Sequence, residues 1–466
     1  MTDRDNRATS LIAGYMVRAR EAKLPDEIAT RTKHHILDTL AAMVSGTRLP
    51  VGEMALKYAR LQGGGADATV IGLAGRANGV FAALANGMLA HADETDDSHA
   101  AAGMHPGCAI VPAALAMAEK NGLGGTALLN AVALGYDVGA RLMRAIGADL
   151  RSPERRYDSH AAGGVFGAAA AAGACTARPL DQLQCRYLLS YAAQQASGLA
   201  SYPMDTFHVE KAFTFAGMPA RSGMTAATML EAGFTGIEDD LEGHNGFLRS
   251  WGAEKADAGQ LAAELGERFE ITRTNIKKYS VGSPIQAPVD CLVNIMREHG
   301  VGPDDLGRIV VYTARGEDRI TRRDQHMSNL NLRYLLAATL IDGDLSFTAA
   351  HDEARVHAPQ IERIAATISI EADASLSSAE SPRQGIVKFI TGDGRTLSSH
   401  VVKVRGAMES PMTTEEVAKK AEELLAIALP AERARRAVDG VLGLETVERV
   451  GDLTSLLNPA TAHAGD

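Results

Sequence analysis

The segment GGVFGAAAAAGA, residues 163–174, constrains this chain more than any other. Apart from Val165 and Phe166 it has no bulky side chain, so a helix here gains little from its own apolar area. It makes sense only pressed against neighbours at close range. The whole composition points the same way: 46 glycines, aromatics at 5% and a single tryptophan, Trp251. A buried helix in a large bundle is the implied setting. At 466 residues the chain can form more than one folding unit.

Helical periodicity runs from residue 8 to about 265. Pro25 opens a helix whose Ile28, Thr32, His35, Ile36 and Met43 fall close to one face, and Gly46 ends it. Further helices are expected near 76–91, 107–120, 126–146, 162–175 and 180–199. After about 268 the pattern changes. Period-two alternation occurs at 307–314, 366–372 and 385–406, with Gly392-Asp393-Gly394 set to turn a hairpin. Helices interrupt this part at 284–298 and 330–342, and TTEEVAKKAEELLAIA at 413–428 is helical again. The pattern fits a helical domain made of 1–267 plus 406–456, an α+β insert at 268–405 and a flexible tail at 457–466. Two sequential domains with a C-terminal helical appendage fit it as well.

The formal charge of -10 disfavours nonspecific nucleic-acid binding but leaves room for a local basic pocket. Cys108, Cys175, Cys185 and Cys291 form no CxxC pair and read as inert buried thiols. MTDRDNRATS lacks the basic-then-apolar order of a signal peptide, and no run of 18 apolar residues is present. The expectation is a cytoplasmic protein with no membrane span.

Chemistry concentrates in His91-Ala-Asp93-Glu94-Thr95-Asp96-Asp97-Ser98-His99, followed by His105-Pro106-Gly107, between two apolar segments. Carboxylates and histidines so near a core must be used or neutralised. Three readings stand. The first is a solvated loop capping the next helix through Asp96, Asp97 or Ser98. The second is an acid–base site in which carboxylates orient a histidine poised near neutral pH. The third is a metal site, though no HExxH, three-histidine or EF-hand spacing occurs.

LANGMLAHADETDDSH…HPG resembles the signature loop of the MmgE/PrpD family, an Ala-Asn-Gly helix followed by a histidine, acidic residues and His-Pro. LDTLAAMVSG at 37–46, FGAAAAAG at 166–173, ARSG at 220–223, EGHNGFLRSWG at 242–252, NLRYLLAATLIDG at 331–343 and PMT at 411–413 agree with it. The resemblance implies a mainly α fold: a large all-helical domain from both ends of the chain and a smaller inserted α+β lid domain. It also implies a homodimer, no metal and no organic cofactor. Family members dehydrate 2-methylcitrate, decarboxylate cis-aconitate or epimerise iminodisuccinate.

Carried over residue by residue, the acidic position of the loop falls on Glu94, with Asp93 adjacent and Asp97 at a second acidic position. The family threonine falls on Ser98. The His-Pro histidine falls on His105 if the loop has one inserted residue. A histidine found in several relatives falls on Asp158, with His160 two residues later. The family lysine survives as Lys211 with a one-residue offset before Gly217, and its Leu-His is gone. Around Lys277, Gln286 stands where a histidine is common; it keeps hydrogen-bonding capacity but cannot titrate. The candidate catalytic residues are His105, Asp93, Glu94, His160 and Asp158. The candidates for holding substrate are His91, Asp97, Ser98, His99, Lys211, Lys277 and Gln286. His208 is a weaker candidate, and His326 is one from the insert.

The altered histidine pattern fits a different carboxylate substrate, or an epimerase or isomerase, better than strict 2-methylcitrate dehydration or cis-aconitate decarboxylation. The first expectation is a hydro-lyase acting on a small hydroxy di- or tricarboxylate by proton transfer. The alternatives are an epimerase or isomerase of a small dicarboxylate, a decarboxylase of an unsaturated tricarboxylate, and a non-enzymatic carboxylate binder.

Overall fold

The computed structural model describes residues 7–147, 157–252, 255–316, 327–378 and 383–458. His326 and tail residues 459–466 lie outside them. The fold is mainly α, with small sheets. The chain forms two compact units. One comprises the described residues of Met1–Ala92, Asp96–Thr274 and Thr414–Asp466; the other comprises those of Asp93–Thr95 and Asn275–Thr413.

In the first unit the small-residue helix Ser159–Ala174 packs against Gly107–Lys120, Gly125–Ile146 and Met218–Glu231. Glycines set how close these helices come. A methyl group added at Gly139 would lie 2.6 Å from the Gly163 carbonyl oxygen, and one at Gly167 would lie 2.8 Å from that of Gly135. One at Gly223 would lie 2.5 Å from the backbone of Ala168. The backbones themselves are in contact, which explains a helix built almost entirely from alanine and glycine.

The helix Asp26–Gly46 carries Asp26 and Glu27 in its first turn, where the helix dipole favours negative charge. It packs against Thr414–Leu425, from the far end of the chain. Lys420 Nζ donates to Asp38 Oδ1 at 2.6 Å, and both side chains are buried. All four cysteines are buried and unbridged. Burial pushes the Cys175 and Cys185 thiols up to about 12 and Cys291 up to about 11, so they are inert.

In the second unit β3 (Leu306–Thr313), β4 (Ile368–Ala372), β5 (Gly385–Thr391) and β6 (Thr396–Val401) form a sheet ordered β4-β3-β5-β6. The other two strands, β1 (Ala68–Thr69) and β2 (Arg76–Ala77), make a minor ribbon in the first unit. β3 and β4 are parallel, with Ile309 beside Ile368; β5 is antiparallel to β3, with Val387 beside Val311. Gly385, Val387, Phe389 and Thr391 alternate into the interior. There Val387 and Phe389 join Ile309, Val311, Leu292 of the Gln286–His299 helix and Leu335 of Leu332–Asp342. No helix among the described residues is long and apolar enough to cross a membrane.

Helix propensity alone makes Gly223→Ala stabilising by about 1 kcal/mol. The contact with Ala168 reverses the sign, and the expected result in denaturant unfolding is a loss of about 1–3 kcal/mol, as for overpacked cores. A stabilised variant would show that the two helices separate readily.

Candidate active site

In the first unit the helix Gly79–Ala90 ends at His91, and the loop that follows leads to His105 just before the Gly107–Lys120 helix. Asp96 lies between the two histidines and is fully buried. Its Oδ2 is 2.9 Å from His91 Nδ1, and its Oδ1 is 3.1 Å from His105 Nδ1. The ring centres are 5.1 Å apart.

His160 joins from the Ser159–Ala174 helix, its ring centre 5.3 Å from that of His105. Asp158 caps this helix. Its Oδ1 accepts from the His160 and Ala161 amides at 2.7 and 3.1 Å and lies 3.1 Å from His160 Nδ1. Asp158 is therefore the buried support of His160, and His160 carries the ring into the cluster.

Phe215 lies at the centre. Its ring stacks on His160 at 3.7 Å and 10°, and lies 5.1 Å from His91, 5.8 Å from His105 and 4.9 Å from Tyr202. Lys211 Nζ is 5.1 Å from the same ring centre, a cation–π distance. Phe215 sits in a π turn, Phe213–Gly217, a rare conformation often found at functional sites. His208, 5.0 Å from His91, has φ of 61°, unusual for a non-glycine residue. Three imidazoles and an ammonium thus gather on one aromatic ring, with His208 behind His91, an arrangement suited to an anionic ligand.

The other loop residues in this unit are bonded elsewhere. Asp97 Oδ2 is 2.7 Å from His35 Nδ1 and accepts from Tyr136 Oη at 2.5 Å, while Oδ1 accepts the Gly107 amide at 2.9 Å. It anchors the loop and satisfies the first amide of the helix, the capping role foreseen for an aspartate here. His99 Nε2 is 3.1 Å from Glu270, and its Nδ1 accepts the Ala102 amide at 3.0 Å. Although burial opposes it, His99, Arg144 and Arg273 hold the Glu270 carboxyl down at about 2. Ser98 is buried, and its hydroxyl makes no hydrogen bond among the described residues.

Asp93, Glu94, Lys277 and Gln286 belong to the second unit. Asp93 accepts from the Thr95 amide and hydroxyl at 2.9 and 2.6 Å, and His351 Nε2 lies 2.7 Å from Oδ2 as an ion pair. Burial pushes the Asp93 carboxyl up, but His351 and Thr95 outweigh it and hold it below its ordinary value. Burial likewise pushes His351 down, and Asp93 raises it above the usual histidine value. Lys277 donates to the Glu94 carbonyl at 2.6 Å, with its carboxylate at 3.5 Å. The Gln286 amide bonds to the Tyr279 amide and to the Tyr279 and Val281 carbonyls, so it folds its own segment.

Sequence reasoning singled out His91, His105, His160 and Lys211, which converge. It missed Asp96 as the bridge, Phe215 and Tyr202 as the platform, and His351. Nothing in the spacing distinguishes Asp96 from its acidic neighbours, and His351 reaches Asp93 from far along the chain. His91, Asp96 and His105 also offer donor atoms within 4.8 Å of one another, close enough for one ion. Asp96, however, already spends one oxygen on each imidazole.

Imidazoles paired to carboxylates on a helical scaffold are an arrangement able to move protons. Residues 10–257 match the MmgE/PrpD N-terminal domain and residues 279–445 the MmgE/PrpD C-terminal domain. The chain belongs to the MmgE/PrpD family. It is 26% identical to a cis-aconitate decarboxylase-like protein of Aspergillus oryzae, over 97% of this chain and 98% of that one. It is 25% identical to a cis-aconitate decarboxylase of Aspergillus terreus, covering 97% and 96% of the two chains. The figure is 23% for the human cis-aconitate decarboxylase, covering 93% and 91%.

Two outcomes are expected. Dialysis against a strong chelator should leave turnover unchanged, since Asp96 is committed to two imidazoles; loss restored by one added metal would overturn this. The second concerns the Asp93–His351 pair. The lowered carboxyl contributes stability above its unfolded pKa, lost as pH falls through the folded one. The raised imidazole contributes below its unfolded pKa, lost as pH rises through the folded one. Both shares are complete between roughly pH 4 and 6.5, the unfolded reference values. The stability gap between wild type and His351→Gln should be widest there and shrink in alkali and in strong acid. A gap flat across pH in denaturant titrations would refute the pairing.

Proposed function

We propose that this protein is a cofactor-independent lyase of a small di- or tricarboxylate, and within that class a hydro-lyase. The reading rests on two imidazoles, each with its own carboxylate: His105 on Asp96 and His160 on Asp158, ring centres 5.3 Å apart. Elimination of water needs a base for the proton on carbon and an acid for the departing hydroxyl, and such a pair supplies both. Lys211, beside the same aromatic platform, would hold a substrate carboxylate. The proposal includes a homodimer, as in the family, and a cytoplasmic setting.

Decarboxylation is the second reading, favoured by the names of the relatives. It needs cationic anchoring and one proton donor to quench the carbanion, which this cluster also supplies. Incubation with a panel of hydroxy- and unsaturated di- and tricarboxylates in heavy water, followed by NMR, separates the two. A new double bond with loss of hydroxyl supports the hydro-lyase, and carbon dioxide release supports the decarboxylase. Deuterium uptake with intact connectivity would replace both with an epimerase.

Whichever substrate turns over, His105→Asn should lower kcat by roughly 10²–10⁴, the range for a lost acid or base. Folding and KM should change little. Retention of more than about a tenth of turnover, well outside that range, would reduce His105 to a structural role.

A further inference from the structure

The most unusual feature of the cluster is one buried carboxylate shared by two imidazoles through different oxygens. A carboxylate only accepts hydrogen bonds. Two neutral imidazoles can both satisfy it only if each carries its proton on Nδ1. Both Nε2 atoms then carry the lone pair. The two rings differ in access. The His91 side chain is fully buried, and its Nε2 has no hydrogen-bond partner among the described residues. The His105 side chain is 12% exposed. Only His105 can meet a substrate, and His91 stands behind it, its ring stacked on Phe215.

We propose that Asp96, with His91 clamping its second oxygen, is the positioning residue for proton transfer at His105. Rotation of the carboxylate would break both contacts at once, so His91 keeps Oδ1 on His105. The clamp fixes the His105 tautomer with Nε2 as base. It also keeps an anion beside the imidazolium formed when Nε2 takes the proton from carbon. The electron pair of that C–H bond becomes the new double bond, and hydroxide leaves as water with a proton from His160. Asp97, the next residue, has no such part, since its oxygens serve His35, Tyr136 and Gly107. His91 accordingly supports the base and does not bind substrate.

The inference rests on His105 as the proton-transfer group, and its test keeps the two claims apart. Asp96→Asn keeps the shape but offers one acceptor and one donor, so the two rings can no longer share one tautomer. The expected result is a fall in kcat of roughly 10²–10⁴, as when an orienting carboxylate behind a histidine base is lost. KM should move by no more than about threefold, because the substrate contacts remain. ¹⁵N NMR of histidine-labelled protein, assigned with His91→Gln and His105→Asn, reports the tautomers directly. The wild type should show a protonated Nδ1 and a bare Nε2 on both rings.

A protonated Nε2 on neutral His105 in the wild type would overturn the proposal, even if Asp96→Asn failed to fold. So would Asp96→Asn retaining more than about a third of kcat while His105→Asn is inactive, since an orienting loss is far larger. A metal ion bound between the rings in purified protein would also overturn it. If His105→Asn stays active, the assignment of the base fails, and the tautomer spectrum still decides whether the clamp exists.

Discussion

Burial of the segment from His91 to His99 forces every charge in it to find a partner. Each of these residues is less than a tenth exposed. An ionised carboxylate out of water costs several kcal/mol unless it is paired. The chain meets this cost with four separate arrangements along nine residues. Asp93 takes His351, Glu94 takes Lys277, Asp96 takes His91 and His105, and Asp97 takes His35, Tyr136 and a helix amide. Partners come from both ends of the loop and from distant parts of the sequence. The loop thereby determines what several other elements must present to it.

The pairings also explain why neighbouring aspartates do different work. Asp96 and Asp97 are both fully buried and both touch histidines. Asp97 faces His35, Tyr136 and the start of a helix, and a group so thoroughly bonded has no capacity left for chemistry. Asp96 faces two rings that themselves face the Phe215 platform. Direction decides the role, because the residue type and degree of burial are the same.

The fold was legible where physics acts locally. The alanine and glycine run reads as a helix in backbone contact because no other packing would reward it, and Gly139, Gly163 and Gly167 bear that out. Alternation at 385–401 gave the β5–β6 hairpin for the same reason. The candidate site was legible in part. His105 could be picked out because titratable groups beside apolar runs are costly, whereas His160 came into view only through the family resemblance. Phe215 could not, because a lone phenylalanine looks like core until its ring is seen beneath a histidine. Asp96 could not be ranked above its acidic neighbours, since only the fold decides which carboxylate turns toward which ring.

The π turn at Phe213–Gly217 has a consequence for relatives of this chain. Such a turn holds one residue more than the α turn it replaces. It lies between Lys211 and Gly217, the interval in which the resemblance implies a one-residue offset of the lysine. Helices on either side can keep their neighbours while the extra residue is absorbed as a local bulge. Removing a single residue from this interval would heal the helix and turn its lysine side by roughly 100° against its glycine side, from 3.6 residues per turn. Gene-level insertions and deletions here would therefore act as a rotary adjustment of the aromatic platform, resetting the pocket without disturbing the bundle.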